Sequence, residues 1–123
     1  MLKTISIDHI NMSVRNLKES LDFYKKLFGF AVKKEQQKDN SKIIGNDNIK
    51  LCLYENPNLE KGNGINHFGF YTENFDKIIE TCKSLGVRVL YGGEVNWGKS
   101  KSIYVEDPNG YVIELSNKQG GGL

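Results

Sequence analysis

The sequence predicts an α+β domain made of two βαβββ modules, whose curved mixed sheets form a cavity. An internal repeat is the first observation behind this prediction: a shift of 58 residues superposes His9 on His67 and Asn16 on Asn74. The second observation is that each half begins with a strand of alternating apolar and polar residues and continues with an amphipathic helix. A repeat of this kind indicates two copies of one supersecondary unit.

The first module, residues 5–57, begins with a predicted strand over Ile5–Val14. Asn16 is predicted to cap a helix that carries a stripe of apolar residues and ends at Gly29. Three further strands are expected, near Phe30–Lys34, Lys42–Gly45 and Ile49–Tyr54. The Asn- and Gly-rich segment 58–64 is interpreted as the linker between the modules.

The second module, residues 65–117, repeats the pattern with a strand over Ile65–Tyr71. Asn74 stands where Asn16 stood, and the helix that it is predicted to cap ends at Gly86. A strand over Val87–Tyr91 and a Gly-rich loop follow. The tail, residues 118–123, is expected to be disordered because it offers little to bury.

A hairpin closes the second module. Its turn, Asp107–Gly110, lies between two β-branched and aromatic segments, Ser102–Val105 and Tyr111–Leu115. Glu114 projects from the middle of the second, otherwise apolar, strand. An ionised carboxylate is costly to bury unless a cation or strong donors meet it, so Glu114 is predicted to have such a partner. The repeat makes Cys52 its counterpart in the first module.

Composition excludes several classes of function. The net charge is +2 and the 17 basic residues are scattered, so a nucleic-acid partner is not expected. No apolar run approaches membrane-spanning length, so no membrane partner is expected either. Cys52 and Cys82 lack a CxxC spacing, which is typical of a protein of the reducing cytoplasm.

One face of the predicted sheets is polar. In the strands that the repeat makes equivalent, the apolar residues occupy alternate positions that point to the same face of the sheet. They are expected to pack against the helices. The other parity carries a set of polar and aromatic side chains, namely His9, Asn11, Ser13, Lys50, Cys52, Tyr54, His67, Tyr71, Glu114 and Ser116. This face is predicted to line the cavity.

Four short segments carry a family resemblance, and they are Asp8–Ile10, Leu21–Gly29, Asn66–Gly69 and Tyr104–Glu114. They resemble the vicinal oxygen chelate superfamily, which includes glyoxalases, bleomycin-resistance proteins, extradiol dioxygenases and fosfomycin-resistance enzymes. The resemblance covers residues 5–117. It implies the paired βαβββ fold, in which sheets curve round a cavity that is often completed in a dimer, so a homodimer is expected.

The resemblance also implies a metal site, with His9, His67 and Glu114 as ligands and Cys52 at the fourth position. Two imidazoles and one carboxylate leave coordination positions open, which suits a catalytic divalent ion such as Fe, Mn, Zn or Ni. Cys52 is interpreted as a small hydrophobic wall residue instead of a ligand.

Further side chains are candidates for contact with the substrate. Tyr71 and Tyr104 are predicted to line the cavity and to transfer protons or anchor the substrate. Asn11, two residues after His9, is expected to contact a ligand. Trp97 lies on a loop that either covers the cavity or is simply solvated.

The leading hypothesis is a metal-dependent enzyme that chelates a small oxygen-bearing substrate and uses the ion as a Lewis acid. One alternative is a non-catalytic binding protein of the bleomycin-resistance type. Another is a transferase like the fosfomycin-resistance enzymes. The chain departs from each subclass of the family. Glyoxalase I carries a carboxylate where Cys52 stands, and extradiol dioxygenases carry a histidine shortly before the position of Tyr104. Fosfomycin-resistance enzymes carry a hydroxyl residue where Asn11 stands.

Overall fold

The computed structural model describes residues 1, 3, 5, 7, 9–36, 40–60 and 67–119. The fold is mixed α+β with two mixed sheets, as predicted. The chain divides into two compact units, Met1–Leu59 and Glu60–Leu123, and the division falls in the segment predicted as the linker. Most of that linker and the last four residues of the predicted tail lie outside the described residues.

The first unit contains one four-stranded sheet and one helix. The elements are β1 (Ile10–Val14), α1 (Leu17–Phe28), β2 (Ala31–Gln36), β3 (Ser41–Gly45) and β4 (Lys50–Glu55). The strand order is β1-β4-β3-β2, with β1 parallel to β4 and the other pairs antiparallel. Alternate residues of β1 and β4 are buried, among them Met12, Val14, Leu51 and Leu53, so the predicted parity of these strands is confirmed.

Helix α1 begins and ends as predicted. The Oδ1 atom of Asn16 accepts a hydrogen bond from the backbone N–H of Glu19 at 2.9 Å, which satisfies one of the free donors of the first turn. Gly29 adopts the left-handed conformation (φ 69°) and donates its N–H to the carbonyl of Lys25 at 2.9 Å. The helix buries Tyr24, whose ring stacks on Phe30 with centroids 6.1 Å apart.

The second unit repeats this architecture with one addition. Its elements are β5 (Phe68–Tyr71), a 3-10 turn (Phe75–Lys77), α2 (Ile78–Leu85), β6 (Arg88–Val89), β7 (Val95–Asn96), β8 (Lys101–Glu106) and β9 (Val112–Ser116). The strand order β5-β9-β8-β6 matches that of the first unit, and β5 is parallel to β9. The addition is β7, which pairs with β8 from within the predicted Gly-rich loop. No helix in the described part of the chain is long and apolar enough to cross a membrane.

The first strand is shorter than predicted. It begins at Ile10, and both Ile5 and Ile7 are exposed outside the sheet. The reason lies in the partner strand, because Ile10 pairs with Leu51 and β4 begins at Lys50. Ile5 and Ile7 therefore continue the alternating pattern, but β4 begins too late in the chain to pair with them.

The predicted cap at Asn74 is wrong. Asn74 has a left-handed backbone (φ 56°) and makes no side-chain cap bond, whereas Asn16 is extended (φ −137°), the conformation that directs a side chain onto the first N–H groups. The chain therefore enters α2 through the 3-10 turn. Of the apolar residues predicted on one stripe of this helix, Ile78 and Cys82 are buried, whereas Ile79 and Leu85 are exposed.

The predicted hairpin turn is present between β8 and β9. The Oδ1 atom of Asp107 accepts hydrogen bonds from the backbone N–H groups of Asn109 at 2.8 Å and Tyr111 at 2.9 Å. Gly110 has a φ of 88°, which a side chain would disfavour. The turn sets the register that places Tyr104 directly opposite Glu114.

The two repeat-equivalent asparagines are expected to differ in their effect on stability. Asn16→Ala removes a formed cap and should lower the free energy of unfolding by about 1 kcal/mol. Asn74→Gly introduces a residue that tolerates the left-handed backbone, so it should change the free energy of unfolding by less than about 0.5 kcal/mol. Urea denaturation of both variants checks this, and equal losses would contradict the assignment of the caps.

Candidate functional site

Three residues form a row across the second sheet. Gly69 on β5 pairs with Glu114 on β9, and Glu114 pairs with Tyr104 on β8. Residues directly opposite each other in a sheet project to the same face. A Cβ atom at Gly69 would lie 3.6 Å from Oε2 of Glu114, so the missing side chain leaves room beside this oxygen.

The other carboxylate oxygen has a strong donor. The hydroxyl of Tyr104 donates a short hydrogen bond to Oε1 of Glu114. Tyr104 is 7% exposed, and its burial, its hydrogen bond to Glu114 and the negative charge of Glu114 together raise the pKa of Tyr104 to about 12. The predicted need of Glu114 for a partner is therefore met, within the chain itself, by a neutral phenol.

Two more rings pack against Tyr104. The ring of His67 meets it edge-on with centroids 5.6 Å apart, and Tyr91 does so at 5.2 Å. The second unit thus gathers His67, Tyr104 and Glu114 of the predicted site. Sequence reasoning assigned Tyr91 only to the end of a strand. It reaches Tyr104 because Leu90 donates its N–H to the Tyr104 carbonyl at 2.8 Å and Tyr91 then turns in the left-handed conformation.

The equivalent row of the first unit is different in chemistry. Asn11 on β1 pairs with Cys52 on β4, and Cys52 pairs with Ile43 on β3. Cys52 is a half-buried free thiol, and its place in the strand order matches that of Glu114, as the repeat predicts. His9 is exposed and directly precedes β1.

The predicted catalytic residues are therefore divided among three positions. Tyr104 contacts Glu114. Tyr71 is exposed on β5, opposite Ser116 and two residues beyond the Gly69–Glu114 pair on the same face. Asn11 belongs to the row of the first unit.

The donor chemistry of the second unit fits a divalent metal. Glu114 has one oxygen held by Tyr104 and the other on the side of Gly69, which has no side chain, and His67 supplies an imidazole close to Tyr104. Among the described residues, no group of three or more His, Cys, Asp or Glu side chains lies close enough together to hold a metal ion. The three-ligand set of His9, His67 and Glu114 stays a prediction.

The raised pKa of Tyr104 has a consequence for stability. As the pH rises from 10 toward 12, the unfolded chain releases a proton that folded Tyr104 retains, so the folded state loses stability over this range. Tyr104→Phe should lack this part of the loss of stability, and it should also remove a phenol with a pKa of about 12 from an ultraviolet phenolate titration. Tyr71→Phe makes the same chemical change at an exposed strand position, away from Tyr104, and should keep the wild-type loss of stability over this pH range. Matching pH profiles for wild type and Tyr104→Phe would contradict the assignment.

Comparisons with known proteins agree with this architecture. A family model described as "Glyoxalase/Bleomycin resistance protein/Dioxygenase superfamily" matches residues 6–115. A metallothiol transferase FosB of Staphylococcus epidermidis is 31% identical to this chain, and the match covers 93% of this chain and 82% of the relative. A lactoylglutathione lyase of Neisseria meningitidis is 28% identical, and the match covers 92% of this chain and 91% of the relative. The chain spans only 42% of the length of an Arabidopsis thaliana lactoylglutathione lyase.

A solved structure shares the fold. The fosfomycin resistance protein FosX of Listeria monocytogenes superposes with a TM-score of 0.77 at 24% identity, over 100% of both chains. The family model covers most of the sequence. The chain belongs to the glyoxalase/bleomycin resistance protein/dioxygenase superfamily.

Proposed function

We propose that this protein is a metal-dependent enzyme that acts on a small oxygen-bearing substrate. In this proposal His9, His67 and Glu114 hold a divalent Fe, Mn, Zn or Ni ion. The observation that carries it is the environment of Glu114, a mid-strand carboxylate with Tyr104 bonded to Oε1 and with Oε2 on the side of Gly69, which has no side chain. The names of the relatives, a lyase and a metallothiol transferase, support an enzyme over a passive binder.

Tyr104 has a positioning role in this proposal. Its hydrogen bond fixes the orientation of the carboxylate and occupies Oε1, so Oε2 is the oxygen offered to the ion. With a pKa of about 12, Tyr104 keeps its proton at neutral pH and acts as a donor, not as a base. When bound, the ion would act as a Lewis acid that stabilises negative charge on the substrate oxygens. Tyr71 and Asn11 are proposed to anchor the substrate.

The metal proposal is tested by calorimetric titration of Mn²⁺, Zn²⁺ and Ni²⁺ into protein purified without a His tag or a chelator. Glu114→Gln removes the only charged ligand and should weaken binding by at least about 100-fold, and Tyr104→Phe should weaken it by about 10- to 100-fold. Cys52→Ser, at the repeat-equivalent position, is the matched control and should bind like wild type. Equal affinity in wild type and Glu114→Gln would show that these residues do not hold the ion.

Thiol transfer to fosfomycin is a second candidate reaction. It is favoured by Cys52, which stands where the resemblance places a carboxylate in glyoxalase I, and by the likeness to a metallothiol transferase. Expression in a fosfomycin-sensitive bacterium should then give resistance that Glu114→Gln abolishes. Bound metal without resistance, and without formation of lactoylglutathione in vitro, would favour ligand binding of the bleomycin-resistance type.

The proposal includes a homodimer in the cytoplasm. In the first sheet β1 and β2 are edge strands, and exposed edges of this kind favour pairing or cover by another chain. The two free thiols, Cys52 and Cys82, are consistent with a reducing compartment. Light scattering at micromolar concentration should give twice the mass of the chain, and a monomer mass would contradict the dimer.

A further inference from the structure

Tyr91 combines an unfavourable backbone conformation with an exposed side chain. Its φ of 57° is left-handed, a conformation that a bulky side chain disfavours and that glycine tolerates. The next two residues, Gly92 and Gly93, also have positive φ values, so the chain uses glycine at the neighbouring positions. Tyr91 is 71% exposed and therefore gains little stability from burial. Stability alone does not explain why a tyrosine stands at this position.

The left-handed backbone determines where the Tyr91 ring lies. Leu90, the first residue after β6, donates its N–H to the Tyr104 carbonyl at 2.8 Å, which continues the pairing of β6 with β8. If the chain stayed extended, Tyr91 would point away from the face that carries Tyr104, because successive side chains of a strand alternate. The turn instead brings the two rings together, with centroids 5.2 Å apart and an angle of 79° between their planes. Gly93 closes the turn by donating its N–H to the Leu90 carbonyl at 3.2 Å.

This contact places the Tyr91 ring beside the candidate site. The hydroxyl of Tyr104 donates to Glu114, so the ring that Tyr91 contacts is the one that holds the carboxylate. Tyr104 is 7% exposed, whereas Tyr91 is open to solvent. The basic residue of β6, Arg88, is paired with Glu106, with Nη1 3.5 Å from Oε2. Next to Tyr104, the second unit therefore presents an aromatic surface to an incoming molecule.

We infer that Tyr91 is a specificity-determining residue, and that the substrate carries a flat apolar group, such as an aromatic ring, beside the oxygen atoms that face Glu114. Aromatic rings attract one another edge-on or offset, in addition to the area that they bury. The exposed ring of Tyr91 would hold such a group while the oxygen atoms lie toward the carboxylate. The inference rests on the proposed function, because it takes a metal ion at Glu114 as the partner of those oxygen atoms.

Two hydroxamates test this inference, because both present the same pair of oxygen atoms to a metal ion and only one carries a ring. Benzohydroxamate and acetohydroxamate are titrated into Zn²⁺-loaded protein by calorimetry. Tyr91→Gly should weaken the binding of benzohydroxamate by about 10-fold and that of acetohydroxamate by less than about 2-fold. Tyr91→Phe, which keeps the ring, should retain both wild-type affinities. Asn74→Gly is the matched control, since it introduces glycine at another left-handed, exposed position of the same unit, and it should also retain them.

The stability of the metal-free protein gives a second measurement. Tyr91→Gly relieves the left-handed backbone, so its unfolding midpoint in urea should equal or exceed that of wild type. A midpoint below that of wild type would show that the tyrosine is kept for stability, and would overturn the inference.

The titrations separate a failure of the inference from a failure of the proposed function. If both hydroxamates bind and Tyr91→Gly weakens them equally or not at all, the inference is wrong and the proposed function stands. If the wild-type protein takes up no Zn²⁺, or binds neither hydroxamate once loaded, the proposed function is wrong and the inference fails with it.

Discussion

The hydrogen bond between Tyr104 and Glu114 is the interaction on which the second unit depends for its chemistry. It gives a partner to a half-buried carboxylate in the middle of a sheet, where an ion without one would be disfavoured. The bond exists only in one register of β8 and β9, because a slip of one residue would move Glu114 to the opposite face. That register is set by the turn, in which the buried Asp107 carboxylate collects two backbone N–H groups.

The two units show how one architecture supports two different surfaces. Their strand orders correspond, and each holds a three-residue row at the same place in the sheet. In the first unit the row is Asn11–Cys52–Ile43 and carries no charge. In the second unit the row is Gly69–Glu114–Tyr104, in which Glu114 is a carboxylate, Tyr104 is its hydrogen-bond donor and Gly69 has no side chain. The backbone pairing is the same in the two units, but only the row of the second unit carries a charge. Such asymmetry is what a duplicated scaffold needs if it is to offer one directed site instead of two equal ones.

Much of the fold follows from local patterns. The alternation of Met12 and Val14, the cap at Asn16 and the turn at Asp107 each depend on neighbouring residues, and each has the predicted structure. The errors arise where a pattern continues without its partner. Ile5 and Ile7 alternate like strand residues, but the parallel strand β4 begins only at Lys50 and cannot pair with them. Asn74 resembles Asn16 in sequence, yet its backbone is left-handed and its side chain cannot cap.

The sequence by itself determined the repeat, the strand and helix types and the family resemblance, because periodic patterns are local to the chain. It also determined that Glu114 needs a partner, because a carboxylate in an apolar strand is costly to bury. Only the tertiary structure decided that the partner within the second unit is Tyr104, that Gly69 stands directly opposite Glu114 on β5, and that His67 and Tyr91 pack against Tyr104. These relations join residues on different strands and a loop. Their directions and distances depend on strand register and side-chain rotamers, which a pattern of residue types does not specify.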